Sequence, residues 1–362
     1  MSSATVSHVI NSSRYVAPET RKNVLRAIKD LRYRRDGIAR SLRRSSTGTI
    51  GIMVSDISNP FFAELVRGLE DVIYARGEQN NVILCNTDED VEKERRYLDV
   101  LLEKRIDGLV IAPAGGNRAY LRELILKGMP VVLADRVLSG VGADAVVVNN
   151  REASREATAY LNGLGHRRVG ILKAALSASS IEERFSGFRE ALESVGVSLS
   201  AELVVVSRSD IEAACQAARH LLDVPDPPSA VFATNNFMTL GLMRTIAERG
   251  MSCPENLSIV GFDDFPWATA FRPHLTVVSQ PAYAIGREAA LLLFARLGEG
   301  KDAPPVTKVL RAKLLIRESC AAVKHGSGRM GDRLVRPSTR EWCSPAGAPA
   351  PQLASRGSLR PR

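Results

Sequence analysis

The sequence predicts an α/β protein whose main body holds two parallel sheets covered by helices, preceded by a small all-α headpiece. Two observations carry that reading. From Thr49 onward, short apolar runs alternate with amphipathic helical stretches, and such alternation means parallel strands buried on both faces. Before Thr49 there is no strand-like run; eleven Lys/Arg stand against Glu19, Asp30 and Asp36, a net of +8. At 362 residues and 45% apolar composition, the chain can bury two or three cores.

In chain order, residues 2–11 come first. As a helix, Val6, Val9 and Ile10 form one apolar stripe, and Ser3, Ala4, Ser7, His8 and Asn11 the opposite face. Short polar side chains on such a face let a helix seat in the DNA major groove and touch base edges; a plain solvated helix is the alternative reading. Pro18 then opens a second helix, with Val24, Ile28 and Leu31 as its stripe, ending near Tyr33. A short segment, Asp36 to Arg44, carries Ile38, Ala39 and Leu42 between arginines. This charge balance on a small helical unit is the footprint of phosphate-backbone binding.

The body reads as strand Thr49–Ser55, helix Pro60–Ala75, strand Val82–Cys85, helix Val91–Lys104, strand Gly108–Ala112, helix Tyr120–Leu126 and strand Val131–Ala134. The rhythm resumes with a helix from Arg151 and a strand at Val169–Leu172. Helix Glu182–Val195, strand Leu203–Val206, helix Ile211–Leu222, strand Ala230–Ala233, helix Thr239–Arg249 and strand Ser258–Phe262 follow. Binding sites in open α/β sheets lie at the carboxyl ends of strands. Polar and aromatic residues at those ends are Phe61 and Phe62, Asp135-Arg136, Asn235-Asn236 and Asp263-Asp264, joined by Arg184. Asn59 and Pro60 are as readily a helix cap and first turn as ligand contacts. Core packing is an alternative for Phe62, and a surface ion pair for Arg184. Carboxylate, amide and guanidinium groups together suit the vicinal hydroxyls of a small polyhydroxylated ligand.

Several function classes are excluded. The longest apolar run is too short for a membrane span, no leader peptide follows Met1, and a cytoplasmic protein is expected. Cys85, Cys215, Cys253, Cys320 and Cys343 are scattered, with no metal-binding spacing, so no metal or other cofactor is expected. Cys85 and Cys215 read as core residues. His8, His166, His220, His274 and His325 stand apart from any Ser or Cys with an acid partner, and no phosphate-binding glycine loop follows a strand, so no enzyme is expected. Gly165-His166-Arg167 reads as a loop. From Ala322 a Ser/Pro/Gly/Ala-rich tail of net +6 is expected to be disordered. It either adds non-specific DNA affinity or is a read-through end. The remaining core is mildly acidic, −5.

Thr5-Val6-Ser7-His8-Val9-Ile10-Asn11, Val16, Glu19-Thr20-Arg21 and Ala39-Arg40-Ser41-Leu42 resemble the headpiece of the lactose-repressor family, closest to its purine-repressor branch, and the resemblance continues to about Cys320. It implies a DNA-binding transcriptional regulator, a repressor, working as a homodimer on a palindromic operator. A periplasmic-binding-protein-like core of two subdomains is expected to control it, with the chain crossing between them three times. The residues divide as a partial helix-turn-helix headpiece (1–34), hinge helix and linker (35–48), effector-binding and dimerisation core (49–320, crossing near 150 and 281) and tail (321–362).

By the same resemblance, Ser3, Ala4, Thr5, Ser7, His8 and Asn11 fall on the recognition helix, Arg14 and Tyr33 on phosphate contacts, and Leu42 on a wedge into a minor-groove step. Phe61, Phe62, Arg136, Arg184, Asn235 and Asp263 fall at effector positions. Ala178 and Ser180 stand where a purine-binding member has Arg and Thr, which favours a sugar or sugar derivative, its phosphate included. The family's supporting helix precedes the recognition helix, and the chain begins after it. Val6, Val9 and Ile10 are therefore expected to be exposed and the headpiece poorly folded. Arg35-Asp36 stands where Pro-Asn commonly opens the hinge, and Ala17 where a capping Ser is usual. A small-molecule binding protein with a vestigial headpiece is the alternative.

Overall fold

The computed structural model describes residues 2–11, 14–31, 46–77, 80–176, 178–298, 300 and 303–323. Tyr33, the segment Asp36 to Arg44 with Leu42, and the tail from Lys324 lie outside the described residues.

Helices α1 (Ser3–Asn11) and α2 (Pro18–Asp30) pack on each other. Ser2 Oγ accepts from the Thr5 amide at 3.2 Å and supplies the first cap. Pro18 opens α2, and Ala17 makes no side-chain cap, as expected. Two expectations are corrected here. Val9 is only 5% exposed and Val6 is half-buried, with α2 packed on α1 and burying its own Val24; the Ile10 side chain lies outside what is described. Helix α2 stops at Asp30 rather than near Tyr33, and Leu31, in the cap, is 78% exposed and adds nothing to the stripe.

The first lobe is built from β1 (Thr49–Val54), α3 (Pro60–Ala75), β2 (Asn81–Asn86), α4 (Val91–Glu103), β3 (Gly108–Ile111), α5 (Arg118–Leu126), β4 (Val131–Ala134) and β5 (Asp144–Val148). The second holds α6 (Asn150–Gly163), β6 (Val169–Ala174), α7 (Ser179–Glu193), β7 (Val204–Ser207), α8 (Ile211–Leu222), β8 (Ala230–Ala233), α9 (Asn236–Glu248), β9 (Ser258–Phe262) and β10 (Thr276–Ser279). The chain then returns: α10 (Ala282–Leu297) packs on the first sheet, β11 (Thr307–Leu310) pairs with β5, and β12 (Lys313–Leu315) pairs with β10. The sheet orders are β11-β5-β4-β3-β1-β2 and β12-β10-β9-β8-β6-β7, parallel except for β12.

Strand faces follow the two-residue period. In β1, Ile50, Ile52 and Val54 join the core beneath α3 and α10, while Met53 joins the opposite one with Leu98 and Leu109. The asparagine between β5 and α6, Asn149, ties two passages together: its amide donates to Leu310 O at 3.1 Å and its Oδ1 accepts from Ala312 N at 2.8 Å. At the start of β1, Asp107 accepts from Ser46 Oγ (2.7 Å), Thr47 N (2.9 Å) and Gly48 N (2.6 Å), fixing where the body begins.

His166, in the loop Gly165-His166-Arg167, meets a serine but no acid partner. It is buried; its Nδ1 lies 2.8 Å from Ser229 Oγ and its Nε2 3.1 Å from Ala321 O, which pins the segment after β12 to the second lobe. With no carboxylate on it, the arrangement is a structural tie. Cys253 and Cys320, far apart in sequence, sit close enough for a Cys320 thiolate to disfavour that of Cys253; burial pushes their thiols up to about 12 and about 11. Thiols that hold their protons so firmly are poor nucleophiles.

Helices α3 and α10 cross at glycines. A Cβ on Gly286 would lie 1.9 Å from Leu65 O, and one on Gly68 2.1 Å from Tyr283 O. Gly286→Ala is expected to cost about 3 kcal/mol or more, since backbone must move to relieve the clash. Gly163→Ala, at the open end of α6 with nothing within 4 Å, should be neutral or stabilising; urea denaturation of both variants checks the contrast.

Burial lowers the His166 pKa from its usual 6.5. The unfolded chain therefore takes up a proton that the folded one resists. Stability from this site is present above about pH 6.5 and is lost as pH falls from there toward the folded value. Urea denaturation from pH 8 to 5 should show His166→Gln less sensitive to acid than the parent.

Candidate functional site

A cavity of about 520 Å³ lies between the two lobes. It is lined by all six residues read as effector contacts: Phe61, Phe62, Arg136, Arg184, Asn235 and Asp263. The elements that place them obey simple local rules. Asn59 caps α3, its Oδ1 accepting from Phe61 N at 2.9 Å, and Pro60 opens the helix, so Phe61 and Phe62 stand on its first turn. Their rings meet edge to face, centroids 5.0 Å apart. Asp88, Asp135 and Asp263 follow the ends of β2, β4 and β9, each with a left-handed backbone (φ 53°, 68° and 80°) that turns its side chain to the cavity wall. Aspartate tolerates this conformation better than most residues, and such outliers gather at functional sites.

The charges are held in place by neighbours. Arg136 Nε donates to Asp135 Oδ2 at 3.0 Å, while its buried Nη1 has no hydrogen-bond partner and lies 3.8 Å from Glu89. Arg184 is on α7 rather than at a strand end. It is 5% exposed, with Nε donating to Asn150 Oδ1 and Nη1 to Thr234 O, both at 2.8 Å, and its guanidinium 3.7 Å from the Phe262 ring centre. That geometry removes the surface ion-pair reading of Arg184. Asp263, 7% exposed, accepts from Gln280 Nε2 at 2.5 Å. Burial raises its carboxyl pKa and lowers that of Arg184, each opposing the attraction between them. Burial likewise raises Glu89. Asp264, next to Asp263 in sequence, is turned away and grips Arg317 with two 2.9 Å bonds.

Asn235 has a second duty, capping α9 with its Oδ1 on Met238 N at 2.8 Å. Asn236 reaches the other lobe, donating to Asn59 Oδ1 at 2.8 Å; a second inter-lobe bond runs from Val137 N to Ser179 Oγ at 2.9 Å. Ser180 lines the cavity, whereas Ala178 is buried at the start of α7 outside the lining. Sequence reasoning missed Asp56, Asp88, Glu89, Arg208, Ser209, Asp210, Phe237 and Gln280 on the wall. Most sit just past the ends of β1, β2, β7 and β10, so the strand-end rule, applied to every strand, would have found them. In all, six carboxylates (Asp56, Asp88, Glu89, Asp135, Asp210, Asp263) face three guanidiniums (Arg136, Arg184, Arg208).

On the headpiece, the backbone of Ser3, Ala4, Thr5, Ser7, His8 and Asn11 lies within α1. Ala4 and the following Arg14 are exposed; Thr5, Ser7 and His8 are half-buried.

Two α/β lobes joined by three crossings, with a charged cavity between them and a helical headpiece in front, define the class of periplasmic-type ligand-binding cores that carry a DNA-binding unit. The profile of "Periplasmic binding proteins and sugar binding domain of LacI family" matches residues 47–318, and that of "Bacterial regulatory proteins, lacI family" residues 1–36. The chain belongs to the LacI family, ligand-controlled DNA-binding regulators of transcription. The HTH-type transcriptional repressor PurR of Photobacterium profundum is 34% identical over 320 residues, 88% of this chain and 95% of that one. Among solved structures, a LacI family transcriptional regulator from Enterococcus faecium with bound ribose is 30% identical at TM-score 0.68, covering 76% of this chain and all of that one. The transcriptional regulator CelR in complex with cellobiose is 32% identical at TM-score 0.69, covering 87% and 95%. These relatives are regulators, not enzymes. Among the described residues, no helix is long and apolar enough to cross a membrane.

Arg184 holds Asn150, Thr234 and Phe262 as well as facing the cavity. Arg184→Ala should therefore cost about 2–4 kcal/mol of folding stability, because buried acceptors lose a charged donor. Thermal denaturation checks this, and Arg184→Lys should recover part of the loss.

Proposed function

We propose that this chain is a repressor whose affinity for a palindromic operator is set by an uncharged sugar bound in the cleft. The Arg184–Asp263 arrangement beside Phe61 and Phe62 carries the reading. A carboxylate accepts from, and a guanidinium donates to, adjacent hydroxyls, while an aromatic face covers the ring. Asn235 and Arg136, with its unpartnered Nη1, add further polar contacts. The excess of carboxylates on the wall repels a phosphate dianion, so a free sugar is favoured over its phosphate. Likeness to PurR favours a purine instead; Ala178 and Ser180 offer neither the cation nor the reach for one, and the ribose and cellobiose complexes favour the sugar.

The division of labour follows the sequence. Residues 1–34 read DNA through Ser3, Ala4, Thr5, Ser7, His8 and Asn11, with Arg14 and Tyr33 on phosphates; residues 35–48 form the hinge, with Leu42 as the wedge. Residues 49–320 bind effector and pair with a second copy; residues 321–362 are a basic tail. The protein acts in the cytoplasm, where its operator is. Effector binding shifts the lobes between two arrangements and so biases whether paired hinges can engage DNA.

Calorimetric titration with pentoses, hexoses, cellobiose, sugar phosphates, purine bases and nucleosides, followed by operator binding with and without the hit, tests this. A neutral sugar should bind and change operator affinity, and Asp263→Asn or Arg184→Lys should weaken it by about 2–5 kcal/mol. Because burial raises the Asp263 carboxyl and the sugar needs the carboxylate, affinity should fall on acidification from a pH above the ordinary carboxylate range. A purine hit, or equal affinity in both variants, overturns the sugar reading; sugar binding without operator binding favours a plain binding protein.

A further inference from the structure

The three crossings lie at one edge of the two sheets, where β5 stands with β11 and β10 with β12; β2 and β7 are the last strands at the other edge. On that free side the turn after β2 meets the loop after β7 across the mouth of the cleft, with Glu89 facing Ser209. We propose that Glu89 is a clasp on this edge: it bonds Ser209 across the gap and, by taking up a proton, holds the lobes closed.

Both partners are presented by fixed turns. Asp88 and Glu89 are consecutive left-handed residues, φ 53° and 59°. Aspartate adopts that backbone far more readily than glutamate, and strain of this kind persists only where the surroundings enforce it. Here they do. Thr87 N donates to Val54 O at 2.9 Å, Asn86 Nδ2 and Lys93 Nζ both hold the Asp88 carboxylate, and Asp90 caps α4 through the Glu92 and Lys93 amides. On the second lobe, Asp210 accepts from Ala213 N at 2.8 Å and from Arg208 Nε at 3.1 Å, which brackets Ser209.

The groups around Glu89 make this contact respond to pH. From its own lobe, Arg136 Nη1 lies 3.8 Å away and favours the carboxylate, while Asp135 and Asp56 oppose it. Lys93 neutralises Asp88, and Arg208 neutralises Asp210. Burial outweighs Arg136 and the Ser209 hydrogen bond, so the Glu89 carboxyl is pushed above its ordinary value. Parting the lobes withdraws Ser209 and lets water reach the carboxyl, while Arg136, on the same lobe, stays. The open form therefore holds the proton less tightly than the closed one. By linkage, closing takes up a proton, so closure is favoured as pH falls toward the closed-form value and weakened above it. The bonds from Asn236 to Asn59 and from Val137 to Ser179 also join the lobes, but between neutral groups that do not titrate.

Arg96 on α4 and Gln216 on α8 are exposed, one on each lobe. Nitroxides carried there on unnatural residues leave the native cysteines untouched. Pulsed electron double resonance on the effector-free full chain, spin-diluted so that each pair lies within one molecule, reads the distance between lobes. From pH 8 to pH 5.5 the shorter-distance share should grow about threefold. Glu89→Gln keeps a bond to Ser209 but has no proton to exchange, and should show a large shorter-distance share at both pH values. Ser209→Ala should lower that share at pH 5.5. A parent distribution that does not change with pH, or Glu89→Gln responding to pH as the parent does, overturns the proposal. Because no effector is added, the clasp and the sugar reading can each fail alone.

Discussion

The chain passes between its two sheets three times, at 148–150, 279–282 and 310–313, and the rest of the molecule is organised by that constraint. Strands are parallel, so their carboxyl ends face one way, and both sheets turn those ends toward the gap that the crossings leave. Polar residues that would be costly in either core collect there: Asp88 after β2, Asp135 after β4, Asp263 after β9, Gln280 after β10. The crossings are held by amides rather than by apolar packing. Asn149 joins the first to the third, and Gln280 joins the second to the Asp263 carboxylate. Asn149 prolongs the β5–β11 pairing with its backbone N–H and adds a side-chain acceptor for Ala312, so one residue holds both passages.

Charges in the gap are positioned by neutral partners as much as by each other. Arg184 rests on Asn150, a main-chain carbonyl and an aromatic face; Asp263 rests on Gln280. Neither forms a contact ion pair with the other, so each keeps bonding capacity for a guest. Their burial sets the directions of their proton equilibria, against the carboxylate and for the neutral guanidinium, and that is the electrostatic tension a polar ligand would relieve. Arginine still remains charged near neutrality, since its proton is among the most tightly held in proteins.

Much of this was legible in the sequence. Apart from β5, the strands from Thr49 to Phe262 announce themselves by their apolar runs, and the helix starts at Pro60 and Val91 because capping residues precede them. What escaped has physical reasons. Strand β5 begins with Asp144, whose charge is taken by Arg296 from far along the chain, so its burial has no local sign. Helix α10 is apolar on nearly every side because it lies between α3 and the sheet, which erases the stripe that marks a helix. Edge strand β12 opens with an exposed lysine, and in β11 the order is inverted, Lys308 turning to Glu288 on α10 while Val309 is left exposed. At the site, single residues at strand ends were readable, but their pairing was not: nothing local says that Asn236 meets Asn59 or that His166 meets Ala321. Val9 was misjudged for the same reason, since its cover comes from α2 across a turn.

The return of the chain to the first lobe has a consequence for how the protein is made. A domain with all its elements contiguous can fold as it leaves the ribosome. Here the first sheet lacks α10 and its edge strand until Leu310 has been translated, and the second lacks β12 until Leu315. While residues 150–280 are being synthesised, the face of β3, β4 and β5 that α10 will cover is bare, and Gly68 awaits the backbone that is to cross it. Only the α1–α2 pair is complete early. Both lobes must therefore close late and almost together, a high-contact-order event, and chaperones that shield an apolar sheet face would find their substrate in the first lobe rather than the second.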